Sequence, residues 1–158
     1  MVDIKKLGAL AFFEGFGDGE LAELAKITKE VSFKRGETLF KESDPGGKLH
    51  VIVDGEVKSC VAAPDGELFT LSIQKRGDSF GAMSFVDGTS RTSTMVTVTD
   101  GAALYMEKAD FEKIMEEHPE LTRKFLVKII TGTHAIVRAM NAKYVQMITY
   151  MWGRKRAT

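Results

Sequence analysis

The sequence is poor in the residues that make covalent or metal-held structure: one cysteine, one tryptophan, three prolines and three histidines among 158 residues. Each scarcity excludes something. Cys60 has no partner for an internal disulfide. His50, His118 and His134 are scattered, so no cluster stands ready to hold a metal or relay protons. The 22 basic side chains are balanced by 22 acidic ones, leaving no overall field to draw in nucleic acid. The one basic cluster, Arg154-Lys155-Arg156, reads as a solvated tail. No run approaches the roughly 20 apolar residues of a membrane-spanning helix. The N-terminus also lacks a basic segment leading into an apolar run, the mark of a secretory signal. Gly-x-Ser-x-Gly, His-Glu-x-x-His and Walker-type loops are absent, and Glu116-Glu117 reads as a solvated helix end rather than an acid/base pair. The expectation is a cytoplasmic protein that is not an enzyme and uses no metal.

What is present suits one core, since 44% of the residues are hydrophobic and 28% charged. Leu21, Leu24, Ala25 and Ile27 recur at helical spacing behind Asp18, read as an N-cap, and Leu7, Leu10, Phe12, Phe13 and Phe16 form an apolar patch ahead of it. From Val31 the period shortens. Val31/Phe33, Thr38/Phe40, Leu49/Val51/Val53, Val57/Ser59/Val61, Phe69/Leu71/Ile73 and Met95–Val98 are short alternating runs. Glycine turns divide them at Gly36, Gly46-Gly47, Gly55, Gly66 and Gly77, which predicts a small β sandwich or barrel.

Beyond Tyr105 the helical period returns. A short helix is expected over Lys108–Glu116, then a long one with Pro119 in its first turn. That helix carries Leu126, Ile130, Thr133, Val137, Met140, Tyr144, Met147 and Met151, a heptad seam with one polar position. Phe125, Ile129, Gly132, Ile136 and Ala139 form a second stripe beside it. One barrel covers one stripe, so the other is expected to meet a partner helix; the alternative is a wide face buried within the monomer. The expected divisions are a helical segment over 1–27, a β unit over 28–107 and C-terminal helices over 108–158.

The most informative stretch runs from Phe80 to Thr94: a tight turn at Gly81, one helical turn, a second turn at Gly88, then Arg91 entering a strand rich in Thr and Ser. The N–H groups of such a turn and helix start point together and suit an anion. Arg91 adds a planar, permanently charged fork, and Thr92 and Ser93 add hydroxyls. The alternative is a structural arginine paired with a carboxylate such as Asp87.

This stretch resembles the phosphate-binding cassette of the cyclic-nucleotide-binding domain family, found in bacterial catabolite activators and protein kinase A regulatory subunits. Arg35-Gly36-Glu37, Asp44-Pro45-Gly46, Val51 to Val57 and Gly77-Asp78 also fall in the family's order, over about residues 8–140. The resemblance implies a jelly roll of β strands, flanked by N-terminal helices and a long C-terminal dimerisation helix. It implies a stand-alone regulatory domain binding cAMP or cGMP, cAMP placed ahead, with Gly81, Ala82, Met83, Ser84, Arg91, Thr92 and Ser93 around the ligand. Phosphate capture would then let the long helix close over the base. Ala82 stands where the family carries its ribose-binding glutamate, and Ile136 and Val137 stand where catabolite activators place hydroxyls against the purine, with Thr131, Thr133, His134 and Arg138 nearby. Those departures leave open a second reading, a ligand-independent dimeric scaffold with a degenerate site. Catabolite activators continue into a DNA-binding unit at about the point where this sequence stops, so no DNA binding is expected of it; an effector protein is the expected further partner.

Overall fold

A computed structural model describes residues 1–156, and their side chains as far as residue 153; the Arg154-Lys155-Arg156 cluster lies outside the described residues in this sense. Two helices, α1 (Ile4–Gly8) and α2 (Asp18–Ile27), flank a short 3₁₀ turn at Ala11–Phe13. Six strands follow: β1 (Thr28–Phe33), β2 (Thr38–Phe40), β3 (Lys48–Asp54), β4 (Val57–Ala62), β5 (Leu68–Gln74) and β6 (Ser79–Phe80). Helix α3 (Ala82–Asp87) interrupts the strands before β7 (Thr94–Thr97) and β8 (Gly101–Glu107), and α4 (Lys108–Glu117) and α5 (Pro119–Arg156) complete the chain. The strands pair antiparallel in two four-stranded sheets, β1-β8-β3-β6 and β2-β7-β4-β5. This is the expected jelly roll with helices at both ends.

Two strands were not resolved as runs in the sequence. β8 is central to its sheet, flanked by β1 and β3. Its first residues are Gly101-Ala102-Ala103, which carry little strand propensity, so partners on both sides rather than local preference make it a strand. β6 is only two residues long. Helix α2 also begins differently from expectation. Gly17 is its N-cap and Asp18 its first residue, because the Glu20 carboxylate accepts a hydrogen bond from the Gly17 N–H at 2.9 Å.

Between the sheets lie Phe33, Ile52, Val57, Phe80, Met95 and Ala103. The larger apolar cluster lies outside, where helices from both ends of the chain meet the face of β3 and β8 through Leu49, Val51, Leu104 and Met106. Its centre is aromatic: Phe125 of α5 lies 5.3 Å from Phe12, 4.4 Å from Phe111 and 6.1 Å from Phe85, between ring centroids. Phe85 belongs to α3. The short helix beside Gly81 is therefore packed into the same cluster as the base of α5.

Candidate functional site

Arg91 does not enter a strand as expected; β7 begins at Thr94. It lies in the preceding segment, held by backbone bonds from Arg91 N–H to the Asp44 carbonyl and from Ser43 N–H to the Arg91 carbonyl, both 2.8 Å. A single pair of bonds to a turn fixes its direction without forming a ladder. The side chain points inward and is 6% exposed. Nη1 donates to the Gly81 carbonyl at 3.0 Å and Nη2 to the Lys48 carbonyl at 2.9 Å. The guanidinium carbon stacks over the Phe40 ring, 4.0 Å from its centroid. Nε is buried and has no partner.

Among the described residues no carboxylate completes this arrangement. Asp87, the sequence candidate for an ion pair, instead accepts from the Thr89 N–H at 2.9 Å and the Thr89 hydroxyl at 2.6 Å. Burial pushes the guanidinium below its ordinary pKa, and the charge of Asp44 offsets part of that. Among the described residues the guanidinium is bonded only to neutral carbonyls, so its charge is offset by Asp44 at a distance and by no ion pair.

Gly81 makes the approach of Arg91 feasible. Its φ is +78°, and a Cβ there would lie 2.5 Å from Nη1 of Arg91 and 2.8 Å from the Lys48 carbonyl oxygen. It is the N-cap of α3. Helical geometry leaves the first N–H groups of α3 without partners inside the helix.

Arg91 forms part of the wall of a cavity of about 360 Å³. All seven residues singled out from the sequence, Gly81, Ala82, Met83, Ser84, Arg91, Thr92 and Ser93, line it. Their side chains are not equally disposed. Thr92 is exposed, Met83 is 49% exposed, and the buried Ser84 hydroxyl turns towards the Ser90 carbonyl at 3.5 Å. From α5 come Gly132, Thr133, Ile136 and Met140, whereas Thr131, His134, Val137 and Arg138 lie elsewhere. Sequence reasoning missed Ser59, Ser72 and Gln74 of β4 and β5, which also line the cavity. Ser59 stood out as polar in an apolar run. Ser72 and Gln74 occupy the polar positions alternating with Phe69, Leu71 and Ile73, and that alternation hid their inward placement, with Phe69 and Ile73 half exposed instead. A bulge obscured it further: Ser59 pairs with Ser72 but Cys60 with Thr70, so Leu71 is left over and turns to the cavity beside Ser72. Among the described residues Arg91 is the only lining side chain that carries a charge, and no carboxylate lines the cavity.

A second recess of about 330 Å³ lies beside Arg91, lined in part by Asp44, Lys48 and His50. His50 stacks on Phe80, its cross-strand partner, at 4.7 Å and 4° between planes. Burial, then the charges of Arg91 and Lys48, lower its pKa to about 3.

Residues 30–118 match the family model described as cyclic nucleotide-binding domain, and the chain belongs to that family. A CRP-like cAMP-activated global transcriptional regulator of Mycobacterium tuberculosis is 34% identical over 120 residues, covering 76% of this chain and 54% of the regulator. The chain thus spans about half the length of that relative. The N-terminal domain of a transcriptional regulator from Streptomyces coelicolor is 30% identical with a TM-score of 0.70, over 87% of this chain and 95% of that one. A cyclic nucleotide-binding domain from Methylobacillus flagellatus has the same fold at 22% identity, with a TM-score of 0.80 over 91% of this chain and 81% of that one. Among the described residues no helix is long and apolar enough to cross a membrane, and no group of three or more His, Cys, Asp or Glu could hold a metal ion.

Proposed function

We propose that this chain is a non-catalytic sensor domain that takes cAMP or cGMP into the cavity beside Arg91 and passes the signal on through α5. The observation that carries the reading is the buried Arg91, which has no carboxylate partner and an Nε with no acceptor, on the wall of a cavity also lined by the start of α3. A cyclic phosphate supplies one negative charge and acceptor oxygens to such a group. The roles follow: Arg91, the N–H groups at Gly81 and Ala82, and the rim hydroxyls of Thr92 and Ser93 hold the phosphate. Thr133, Ile136 and Met140 of α5 face the rest of the ligand. The name of the Mycobacterium tuberculosis relative supports placing cAMP ahead of cGMP. The signal goes to a second copy of the chain along the outer stripe of α5 and from there to an effector protein in the cytoplasm.

One observation favours the scaffold reading. Among the described residues no carboxylate lines the cavity, and Ala82 cannot accept a hydrogen bond from a ribose hydroxyl. Calorimetric titration with cAMP and cGMP separates the two. Wild type is expected to bind at least one of them at micromolar strength or weaker. Arg91→Gln is expected to weaken it about ten- to 150-fold, the range for a hydrogen bond to a charged group. Ala82→Glu is expected to tighten it at least about tenfold. Wild type that binds neither nucleotide overturns the sensor and leaves the scaffold.

A further inference from the structure

Gln74 is the last residue of β5, opposite Val57 of β4, and both side chains turn inward. Val57 is fully buried, as an apolar side chain there should be, and Gln74 is 5% exposed. Its Nε2 donates to the Ser72 hydroxyl at 2.8 Å, while its Oε1 is buried with no partner. Buried polar atoms in folded proteins are nearly always paired, so each exception calls for a reason. Among the described residues three buried side-chain atoms lack a partner, and two of them, Arg91 Nε and Gln74 Oε1, belong to residues that line the same cavity. One is a donor and the other an acceptor. The third, His50 Nδ1, belongs to the recess on the other side of Arg91.

A ligand that answers both atoms is an anion at one place and an N–H or O–H donor at another. We propose that Gln74 is a specificity-determining residue of this cavity, its amide oxygen accepting a hydrogen bond from a donor on the ligand that Arg91 holds. The assignment rests on the nucleotide reading and narrows it. cAMP offers two such donors, the ribose 2′-hydroxyl and the exocyclic amine of the base, and cGMP adds the ring N1–H. Among the described residues the cavity has no carboxylate for any of them, and Gln74 supplies a neutral acceptor in its place. The bond to Ser72 holds the amide in the cavity wall, so its far end is presented without a further loss of side-chain freedom. Ser72 is in turn the cross-strand partner of Ser59, which keeps this side of the cavity polar across two strands.

The test compares wild type with Gln74→Met, a side chain of the same length that makes no such bond. Each is titrated with cAMP or cGMP, whichever wild type binds more tightly, with its 2′-deoxy analogue, and with the analogue lacking the exocyclic amine. In wild type one analogue is expected to bind about three- to tenfold more weakly than the parent, the range for one neutral hydrogen bond. In Gln74→Met that parent and analogue should bind within about twofold of each other. The analogue that shows the effect identifies the donor. Should the variant fail to fold, the side-chain amide signal of Gln74 in wild type gives the same answer by nuclear magnetic resonance, shifting with the parent and not with the deficient analogue. Ratios that are the same in both proteins, or an amide signal that moves equally with all three ligands, overturn the role of Gln74 and leave nucleotide binding intact. Wild type that binds no cyclic nucleotide overturns the nucleotide reading itself.

Discussion

Removing Arg91 has two separable consequences, because it bonds to carbonyls on two different segments. One is loss of the charge that the cavity offers a ligand. The other is loss of a donor to two carbonyls: Lys48 loses its bond from Nη2, and Gly81 keeps only the longer bond from the Phe85 N–H at 3.4 Å. An unsatisfied buried acceptor costs about 1–3 kcal/mol, so a truncation such as Arg91→Ala weakens the ligand-free fold whether or not the site binds anything. Stability alone is therefore a poor readout of Arg91, and the ligand-induced change is the informative one. His50 gives a cleaner stability signal. It stays neutral in the fold down to about pH 3, while the unfolded chain takes up a proton below about 6.5. Between those values the unfolded state binds one proton more, so the contribution is whole above pH 6.5 and is lost as the pH falls towards 3. At pH 5 the loss is roughly 2 kcal/mol. Urea unfolding at pH 7 and pH 5 should show that difference in wild type and not in His50→Phe; an equal drop in both proteins would place its origin elsewhere. Arg91 was legible from its neighbours in sequence, because turn, helix and arginine are contiguous. His50 and Gln74 were not, because what distinguishes them is burial against residues far along the chain.

At the scale of elements, the loop before β3 and the α3 segment are joined by contact rather than by sequence. Gly46 abuts the Ser84 side chain so closely that a Cβ there would meet it, and would also lie 2.6 Å from the Thr89 carbonyl oxygen. The same loop holds the Arg91 backbone through Ser43 and Asp44. Gly46→Ala is expected to destabilise the protein by about 1–3 kcal/mol, the usual range for overpacking, as read by chemical denaturation. It should also weaken nucleotide binding by shifting Ser84. A variant as stable as wild type would mean that α3 can move away at little cost. The sequence pattern identified β1 to β5, β7 and both C-terminal helices, because their alternation or helical period is local. It did not reveal β8, whose small residues become a strand only between two neighbours, nor the bulge that turns Leu71 and Ser72 to the cavity together.

At the scale of the molecule, α5 carries two stripes, and the body of the protein covers one as far as Ile136, leaving Ala139 exposed. Phe125 and Ile129 are buried, and Gly132 and Ile136 are partly covered by the cavity wall. The heptad seam is left open apart from Leu126, which is partly buried, and Thr133 and Met140, which border the cavity: Ile130 is 66% exposed, Tyr144 62% and Met151 56%. Under the proposed dimer, two copies of α5 pair along this seam. Wild type is then expected to sediment as a dimer at micromolar concentration. Val137→Glu, which sets two carboxylates facing each other in a desolvated seam, should shift it to monomer. Sedimentation velocity decides between them, and a wild-type monomer would remove the seam as an interface.

Helix α5 also has no proline after Pro119 and runs unbroken to Arg156. The residues that line the cavity sit near its middle, and Lys143 ties it to β5 through the Leu71 carbonyl at 3.1 Å. From Gly132 to Arg156 the helix extends about 36 Å at 1.5 Å per residue. Under the proposed signalling role it would act as a lever pivoted at the cavity: a tilt of about 5° there would move the far end by about 3 Å over a rod of this length.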